Sequence, residues 1–389
     1  MGKHSVDCVK ENQCVGCKAC ELICPVNAIK MIRNDEGFEY PVVSERLCIG
    51  CGKCTEFCPA MQKFEVSANF FNGVYAARCI EEDILLKSSS GGIFGILAEY
   101  CIGQGGIVYG VVFNEDFRVE YARGDTYAAV NRMRGSKYVD AFLNEDLIQI
   151  FLDDVSGGKK VLFSGTSCQI AGMKALCMER GVDESNVAWV DFYKCSGKVS
   201  PLLWEEECRL YRKKGILQEV SFRDKTNGWK TFSMYQRISG KSYYTDFLLS
   251  GWNKFLGGKF SRRQPCLNCR YSGGRSGSDI SIGDFWNRIA LPKKWKDNKG
   301  LSIVHIHTDK GAEWFHGIQD NVDYMEVRCM DNQIIGSDCP VDYEGRKKFW
   351  EFFHRQGYSE FRRKYAKITW KERILFGKIR PLLVKMGIR

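Results

Sequence analysis

CVGCKACELICP (Cys14 to Pro25) and CIGCGKCTEFCP (Cys48 to Pro59) repeat one spacing, C-x2-C-x2-C-x3-C-P. Three closely spaced thiolates can cap one face of a cubane 4Fe–4S cluster, while the fourth cysteine, carried onward by proline, reaches the other cluster. The spacing assigns Cys14, Cys17, Cys20 and Cys58 to one cluster and Cys48, Cys51, Cys54 and Cys24 to a second. Small residues between the ligands (Gly16, Ala19, Gly50, Gly52) let the backbone wrap closely and aim amides at sulfur. Two zinc knuckles are the rival reading, but zinc motifs supply ligands in pairs, not in two identical quartets ending in proline. Cys8 falls outside the pattern and reads as a spare thiol. Each cluster carries one electron at a time, so the rest of the chain should hold something that takes electrons in pairs.

The repeat is the run found in bacterial two-cluster ferredoxins. A further pair, Cys266 and Cys269 in QPCLNC, supplies only half of a four-ligand site. The other half can come from two strand–turn–helix units, KKVLFSGTSCQIAGMKALC (Lys159 to Cys177) and NVAWVDFYKCSGKVSPLLWEEECRLY (Asn186 to Tyr211). Each strand is a mostly apolar run, as buried parallel strands are. Each places a cysteine where the strand ends, Cys168 and Cys195, and ligands gather beyond the carboxyl ends of parallel strands. Neighbouring strands would bring both sulfurs to one edge, which makes Cys168, Cys195, Cys266 and Cys269 candidates for a third 4Fe–4S cluster. Zinc on the same four thiolates stays open by residue type. So does the reading of Cys168 and Cys195 as ordinary buried thiols.

The elements that position these residues can be read in outline. AIKMIRNDEGFEYPVV between the two cysteine runs suits a short β-hairpin. KSSSGGIFGILAEYCIGQGG (Lys87 to Gly106) reads as a loop, a serine-capped helix and a glycine stop. Its Ser89-Ser90-Gly91-Gly92 turn could receive an anion at the helix start, with a plain capped helix as the alternative. IVYGVVF then alternates like a strand, with VEYARG as its partner; GQGGIVYG has the wrong spacing and place for a dinucleotide fingerprint. Cys79, Cys101, Cys177, Cys208, Cys329 and Cys339 lack metal spacing and read as structural. His305 and His307 flank Ile306 and point to one face of a strand, read as a partly exposed sheet face before a metal site.

The 389 residues suffice for two or three domains, divided here as 1–66, 67–345 and a basic helical tail at 346–389. Nineteen cysteines without an apolar leader point to metal sites and not disulfides, and to a cytoplasmic protein. No run of 18 apolar residues suggests a membrane span. The net charge of +10 resides in the tail: 14 Lys or Arg oppose three Glu from Arg346 onward. Arg362 to Arg389 reads as basic helices with apolar stripes, interrupted before Pro381. It could dock on an anionic membrane surface, placing the protein at the inner membrane face, recruit an acidic partner such as a ferredoxin, or pack on the core as a solvated helix. No nucleic-acid motif accompanies the charge.

SSSGGIFGIL, MRGSKYVDAF, FSGTSCQIAGM, DFYKCSG and CLNCRYSGGRSGSDISIGDFW occur in this order between residues 85 and 290. The ordered set resembles the beta subunit of coenzyme factor-420 hydrogenases and dehydrogenases, an iron–sulfur flavoprotein family in which a two-cluster ferredoxin head is a common addition. The resemblance implies an α+β ferredoxin-like head followed by an α/β flavin-binding domain with a mixed sheet. It implies FAD beside a 4Fe–4S cluster on Cys168, Cys195, Cys266 and Cys269. It associates Ser90, Gly91, Gly92 and Gly135, Ser136, Lys137, Tyr138 with the flavin, with Lys137 as a cation near it or in a surface salt bridge. Ser281, Gly283 and Asp284 are further residues facing the cofactor; Ser167 stands where similar proteins often have proline. The implied function is a flavin-dependent oxidoreductase moving electrons between the clusters, FAD and a two-electron substrate or coenzyme. Its redox partner would be a ferredoxin or a partner enzyme. An electron-transfer subunit without its own substrate, serving a partner enzyme such as one of polysaccharide biosynthesis, is the alternative, and a zinc-bearing adaptor a third. No catalytic residue is assigned.

Overall fold

A computed structural model describes residues 5–62, 72–193, 195, 197–271, 274–286, 291–328 and 342–386. Cys329 and Cys339 lie outside the described residues, as does the side chain of Cys8. The hairpin between the cysteine runs forms as read: β1 (Ile29–Arg33) pairs antiparallel with β2 (Glu39–Val43), Ile29 opposite Val43. Gly37 turns it at φ +87°, a conformation glycine enters without steric cost.

The chain continues through β3 (Gly73–Cys79), β4 (Ile107–Phe113), β5 (Val119–Gly124), β6 (Val161–Ser164) and β7 (Val187–Phe192). Strands β8 (Leu217–Asp224), β9 (Ser233–Ile238) and β10 (Lys241–Asp246) form a separate antiparallel meander. Then β11 (Ile280–Asp284), β12 (Ser302–Ile306) and β13 (Val322–Glu326) complete an eight-stranded sheet of order β13-β3-β12-β11-β7-β6-β4-β5. Its centre is parallel, through the β4–β6, β6–β7 and β7–β11 pairs; antiparallel strands flank it. The mixed sheet therefore forms as expected, and the expected β4–β5 pair is present.

Burial on both faces explains the apolar strands. Helix Ser167–Arg180 lays Ile170, Met173 and Leu176 against Phe163, Val187 and Trp189 on one face. Helix Ile93–Gly103 lays Ile93, Ile96 and Leu97 near Ala188, Val190, Ile282 and Val304 on the other. Cys79, Cys101, Cys177 and Cys208 are buried in these and a neighbouring core, as structural thiols should be.

The boundary read at residue 346 falls inside a helix, Tyr343–Tyr365. Phe349, Trp350, Phe353 and Phe361 from that helix are buried with Trp204, Phe222 and Trp252 of the meander and its helices. Aromatic side chains of that size carry the burial energy that fixes the helix to the core, so only the segment after it qualifies as a tail. That segment is not broken before Pro381. A π-helical turn, Leu375–Ile379, leads directly into helix Arg380–Lys385. Widening the helix before Pro381 relieves the clash of its ring with the preceding turn.

Polar contacts clamp the head to the main sheet domain. Arg33 forks onto Glu205 at 2.9 and 3.0 Å, Lys53 pairs with Glu179 at 2.8 Å, and Arg180 donates to the Leu22 carbonyl at 2.9 Å. The most buried of these pairs joins Arg346 to Glu36 through both carboxylate oxygens. Burial raises the Glu36 carboxyl while Arg346 opposes that shift. Arg346→Met would leave the carboxylate buried and alone, a loss of about 3–5 kcal/mol. Removing the guanidinium lets burial raise that carboxyl further, so Glu36 takes up a proton more readily in the folded variant than in the unfolded chain. The fall in denaturation midpoint should accordingly be largest at pH 8, shrink toward pH 5, and be smaller in the double variant with Glu36→Gln.

Candidate functional site

The eight cysteines of the head form two groups with the membership that the spacing assigns. Burial pushes the Cys17 thiol up to about 12, and Cys58 and Cys14 add to that shift as near neighbours. Cys20 is raised by burial and then by Cys17, Cys14 and Cys58. Cys54 is raised by burial and then by Cys51, Cys24 and Cys48. The glycines and Lys18 within the runs adopt positive φ, so the backbone curls around each group of sulfurs. Cys51 is exposed, which places the Cys48 group nearest the surface, and Cys54 also acts on Cys20 and Cys58 in the other group.

The four cysteines read as a third set also come together. Cys195 is raised by burial, then by Cys266, Cys168 and Cys269; burial pushes Cys266 up to about 12, with Cys168 and Cys269 adding to it. The cause is the parallel register, Phe163 opposite Trp189 and Ser164 opposite Val190, which delivers the loops after β6 and β7 to one edge. Cys168 opens helix Ser167–Arg180, with its sulfur 3.4 Å from the Thr166 hydroxyl. Cys266 accepts the Lys198 backbone N–H at 3.4 Å. Among the described residues no three His, Cys, Asp or Glu side chains are gathered to hold a single metal ion.

This set abuts the Cys14 group. Cys168 acts on the Cys17 thiol, and Gly172, one turn along the same helix, leaves no room for a Cβ against the Cys17 side chain. Two buried cations sit at the seam. Lys198 pairs with Asp140 at 2.9 Å and donates to the Val15 carbonyl at 2.9 Å. Arg263 donates to the Cys14 carbonyl at 2.9 Å and to its sulfur at 3.7 Å, and reaches Asp140 at 3.3 Å. Burial alone would lower the Lys198 ammonium, but Asp140 and then Cys168 outweigh it and hold it above the ordinary lysine range.

Cys195 and Lys198 also line a partly open cavity of about 230 Å³. Its wall includes Ser90, Gly92, Gly135, Ser136, Lys137 and Tyr138, together with Gly283 and Asp284. Three expectations need correction. Gly91 is outside the wall; its N–H donates to the Ser302 hydroxyl at 2.9 Å, and a Cβ there would strike the β3 and β12 backbones. Lys137 lines the cavity, but its ammonium turns back onto the carbonyls of Met133, Arg134 and Gly135 at 3.0–3.1 Å, capping helix Tyr127–Met133. Ser281 points to the opposite face, where it donates to Asp191 and meets His307 at 2.8 Å. That face is more enclosed than expected at one of the two histidines: His305 is wholly buried and stacks on Tyr193 with ring centroids 3.9 Å apart, while His307 is half-buried.

Sequence reasoning missed the cavity's two arginines. Arg223 forks onto Asp284 at 2.6 and 3.0 Å and donates to the Tyr138 hydroxyl at 3.2 Å, while Arg134 pairs with Glu99. Both are nearly buried, and the Nε of each has no hydrogen-bond partner. Lys225 was also missed. It donates to the carbonyls of Leu85, Ser90 and Lys299, pinning the serine–glycine loop. Arg223 and Lys225 carry no local motif, and Arg134 stands in the MRGSKYVDAF segment just before the residues singled out there; the strand order brings the three together.

Two family models match the chain. Residues 158–332 match the C terminus of the coenzyme F420 hydrogenase/dehydrogenase beta subunit, and residues 13–61 match a 4Fe-4S dicluster domain. The chain carries both family domains. No curated protein matches it. Among solved structures, a chain of the F420-reducing [NiFe] hydrogenase complex from Methanosarcina barkeri is 16% identical, with a TM-score of 0.47 over 82% of this chain and 97% of that one. The stretch matched to the beta subunit thus holds all four cysteines of the third set and part of the cavity wall, and the stretch matched to the dicluster domain holds the eight cysteines of the head.

Gly172→Leu should separate the two domains at the seam. The expected result is a loss of about four iron atoms per chain, from the Cys14 group, with the Cys48 group retained. Iron analysis and electron paramagnetic resonance of the reduced protein would show it.

Proposed function

We propose that the chain is an iron–sulfur flavoprotein oxidoreductase. Its three cysteine quartets hold 4Fe–4S clusters in the spatial order Cys48 group, Cys14 group, Cys168 group, and the cavity holds FAD. One observation carries the reading: Cys195 belongs both to the third quartet and to the cavity wall. A thiolate shared in this way puts the last cluster against whatever the cavity binds.

The residues suit these groups. Twelve cysteines in three sets match the donor chemistry of cubane clusters, which thiolates hold. The first turn of helix Ile93–Gly103, where N–H groups lack intrahelical partners, faces the cavity through Gly92, Ile93 and Phe94. Together with the Arg134 side chain, which lines the same wall, it offers donors and positive charge for a pyrophosphate. Gly135, at φ +82°, lets the backbone approach a bound ring closely without a Cβ in the way. Arg223 and Tyr138 set polar groups beside Asp284 across the cavity.

Bound FAD would accept two electrons together and release them singly. The protein's part is to fix geometry and charge. Lys198 and Arg263 place two buried positive charges against one carboxylate, Asp140, between the second and third quartets, which favours the electron-rich state there. Exposed Cys51 makes the first quartet the port for a protein redox partner, so service to a partner enzyme is compatible with the same wiring.

Anaerobic purification should yield close to twelve iron atoms per chain and bound FAD. Cys266→Ser should remove about four irons and leave the dicluster signals unchanged. Arg134→Met should weaken FAD retention by roughly tenfold, the scale of one charge-assisted bond, as read by flavin fluorescence of the filtrate. Zinc without flavin in the purified chain would refute the proposal.

A further inference from the structure

No helix among the described residues is long and apolar enough to cross a membrane. The segment after residue 369 nevertheless displays an apolar stripe to solvent. Trp370, Ile374, Leu375, Ile379, Leu382 and Met386 are 39–69% exposed. At 100° per residue, an unbroken α-helix would carry Ile379 and Met386 about 180° and 160° away from Trp370. The π turn at Leu375–Ile379 takes up one extra residue, which brings both to within about 80° of it. The irregularity therefore brings Ile379, Leu382 and Met386 onto the face of Trp370 and Ile374, with Leu375 exposed to one side of it.

The opposite face is fastened down. Lys254 pairs with Glu372, Arg380 pairs with Asp246 at 3.3 Å and donates to the Lys230 carbonyl, and Thr369 and Glu372 form a capping box. Glu372 is the only acid of the segment, and it is turned inward by these contacts. Lys371, Arg373, Lys378 and Lys385 are exposed and interleave with the apolar side chains.

We propose that this face docks on an anionic lipid surface. Protein-binding patches segregate a dry apolar centre from a polar rim, whereas here basic and apolar residues alternate along one preformed helix face. That mixture suits the headgroup–acyl boundary, where apolar side chains and Trp sink in and Lys stems extend their charges to phosphate. The positive charge is complementary to an anionic bilayer, and the segment's own acid, Glu372, is taken up by Lys254.

The test uses the intact, cluster-loaded chain and flotation with vesicles of phosphatidylcholine alone or mixed with phosphatidylglycerol. Binding should be at least tenfold tighter to the anionic vesicles and should weaken as salt rises. The double variant Ile379→Glu, Leu382→Glu should abolish flotation. Lys371→Glu, Lys378→Glu and Lys385→Glu should each weaken it at least fivefold, the factor that about 1 kcal/mol per basic residue corresponds to. Circular dichroism and the visible spectrum should stay unchanged, because these side chains face solvent. Equal binding to both vesicle types, or unaltered flotation by the variants, overturns the proposal. So does a dimer in sedimentation that Leu382→Glu dissolves, which would assign the face to a second copy. Equally tight binding to soluble polyglutamate would assign it to an acidic protein.

Discussion

The structure depends on one electrostatic knot, the contact of Lys198 and Arg263 with Asp140 at the seam between the dicluster and beta-subunit domains. Both cations are nearly fully buried, and each reaches into the head, Lys198 through the Val15 carbonyl and Arg263 through Cys14. Taking such charges out of water is costly unless every donor is met. Here the partners lie on three separate stretches of chain, so the cations are satisfied only when head and sheet domain are docked. The same docking brings Cys17 against the helix that carries Cys168, which couples the packing of the domains to the spacing of their sulfurs.

The sheet contributes by direction. A parallel centre sends the loops after β6, β7 and β11 to one edge, and those loops hold Cys168, Cys195 and the turn past Asp284. Antiparallel β12 and β3 then bring the serine–glycine loop to the same cavity, where Lys225 pins it by three carbonyls. The site is thus assembled from rigid strand ends and a tethered loop, a placement that holds polar groups without relying on mobile segments. The meander and helix Tyr343–Tyr365 stand behind it as an aromatic core that fixes Arg223 and Tyr138 from the outer side.

Several features escaped sequence reasoning for a common reason. Arg223 sits in a stretch without a motif and Arg134 next to residues that drew the attention in one, and the value of both comes from what faces them across the cavity. Lys137 belonged to a recognised segment, yet its own helix end supplied nearer acceptors than the cavity did. His305 and His307 were rightly placed on one strand face, but the burial of that face depended on which strands flank β12. The apparent basic tail divided in two because Phe349, Trp350 and Phe361 found the meander's aromatic core, which no local pattern specifies.

What the sequence determined by itself was the chemistry and the local shape. Repeated cysteine spacing brings together the first three sulfurs of each run, because residues a few positions apart are held by the backbone between them, and the proline after the fourth sends it on to the other run. The hairpin, the β4–β5 pair and both strand–turn–helix units follow from short-range patterning. Tertiary structure alone decided the order of the three groups, the cavity beside the last of them, and the charges set between them. Those depend on strand order and domain docking, which join residues as far apart as Val15 and Lys198 or Arg263 and Cys14. Contacts of that range are fixed by burial and charge satisfaction in the folded whole, and no window of sequence contains them.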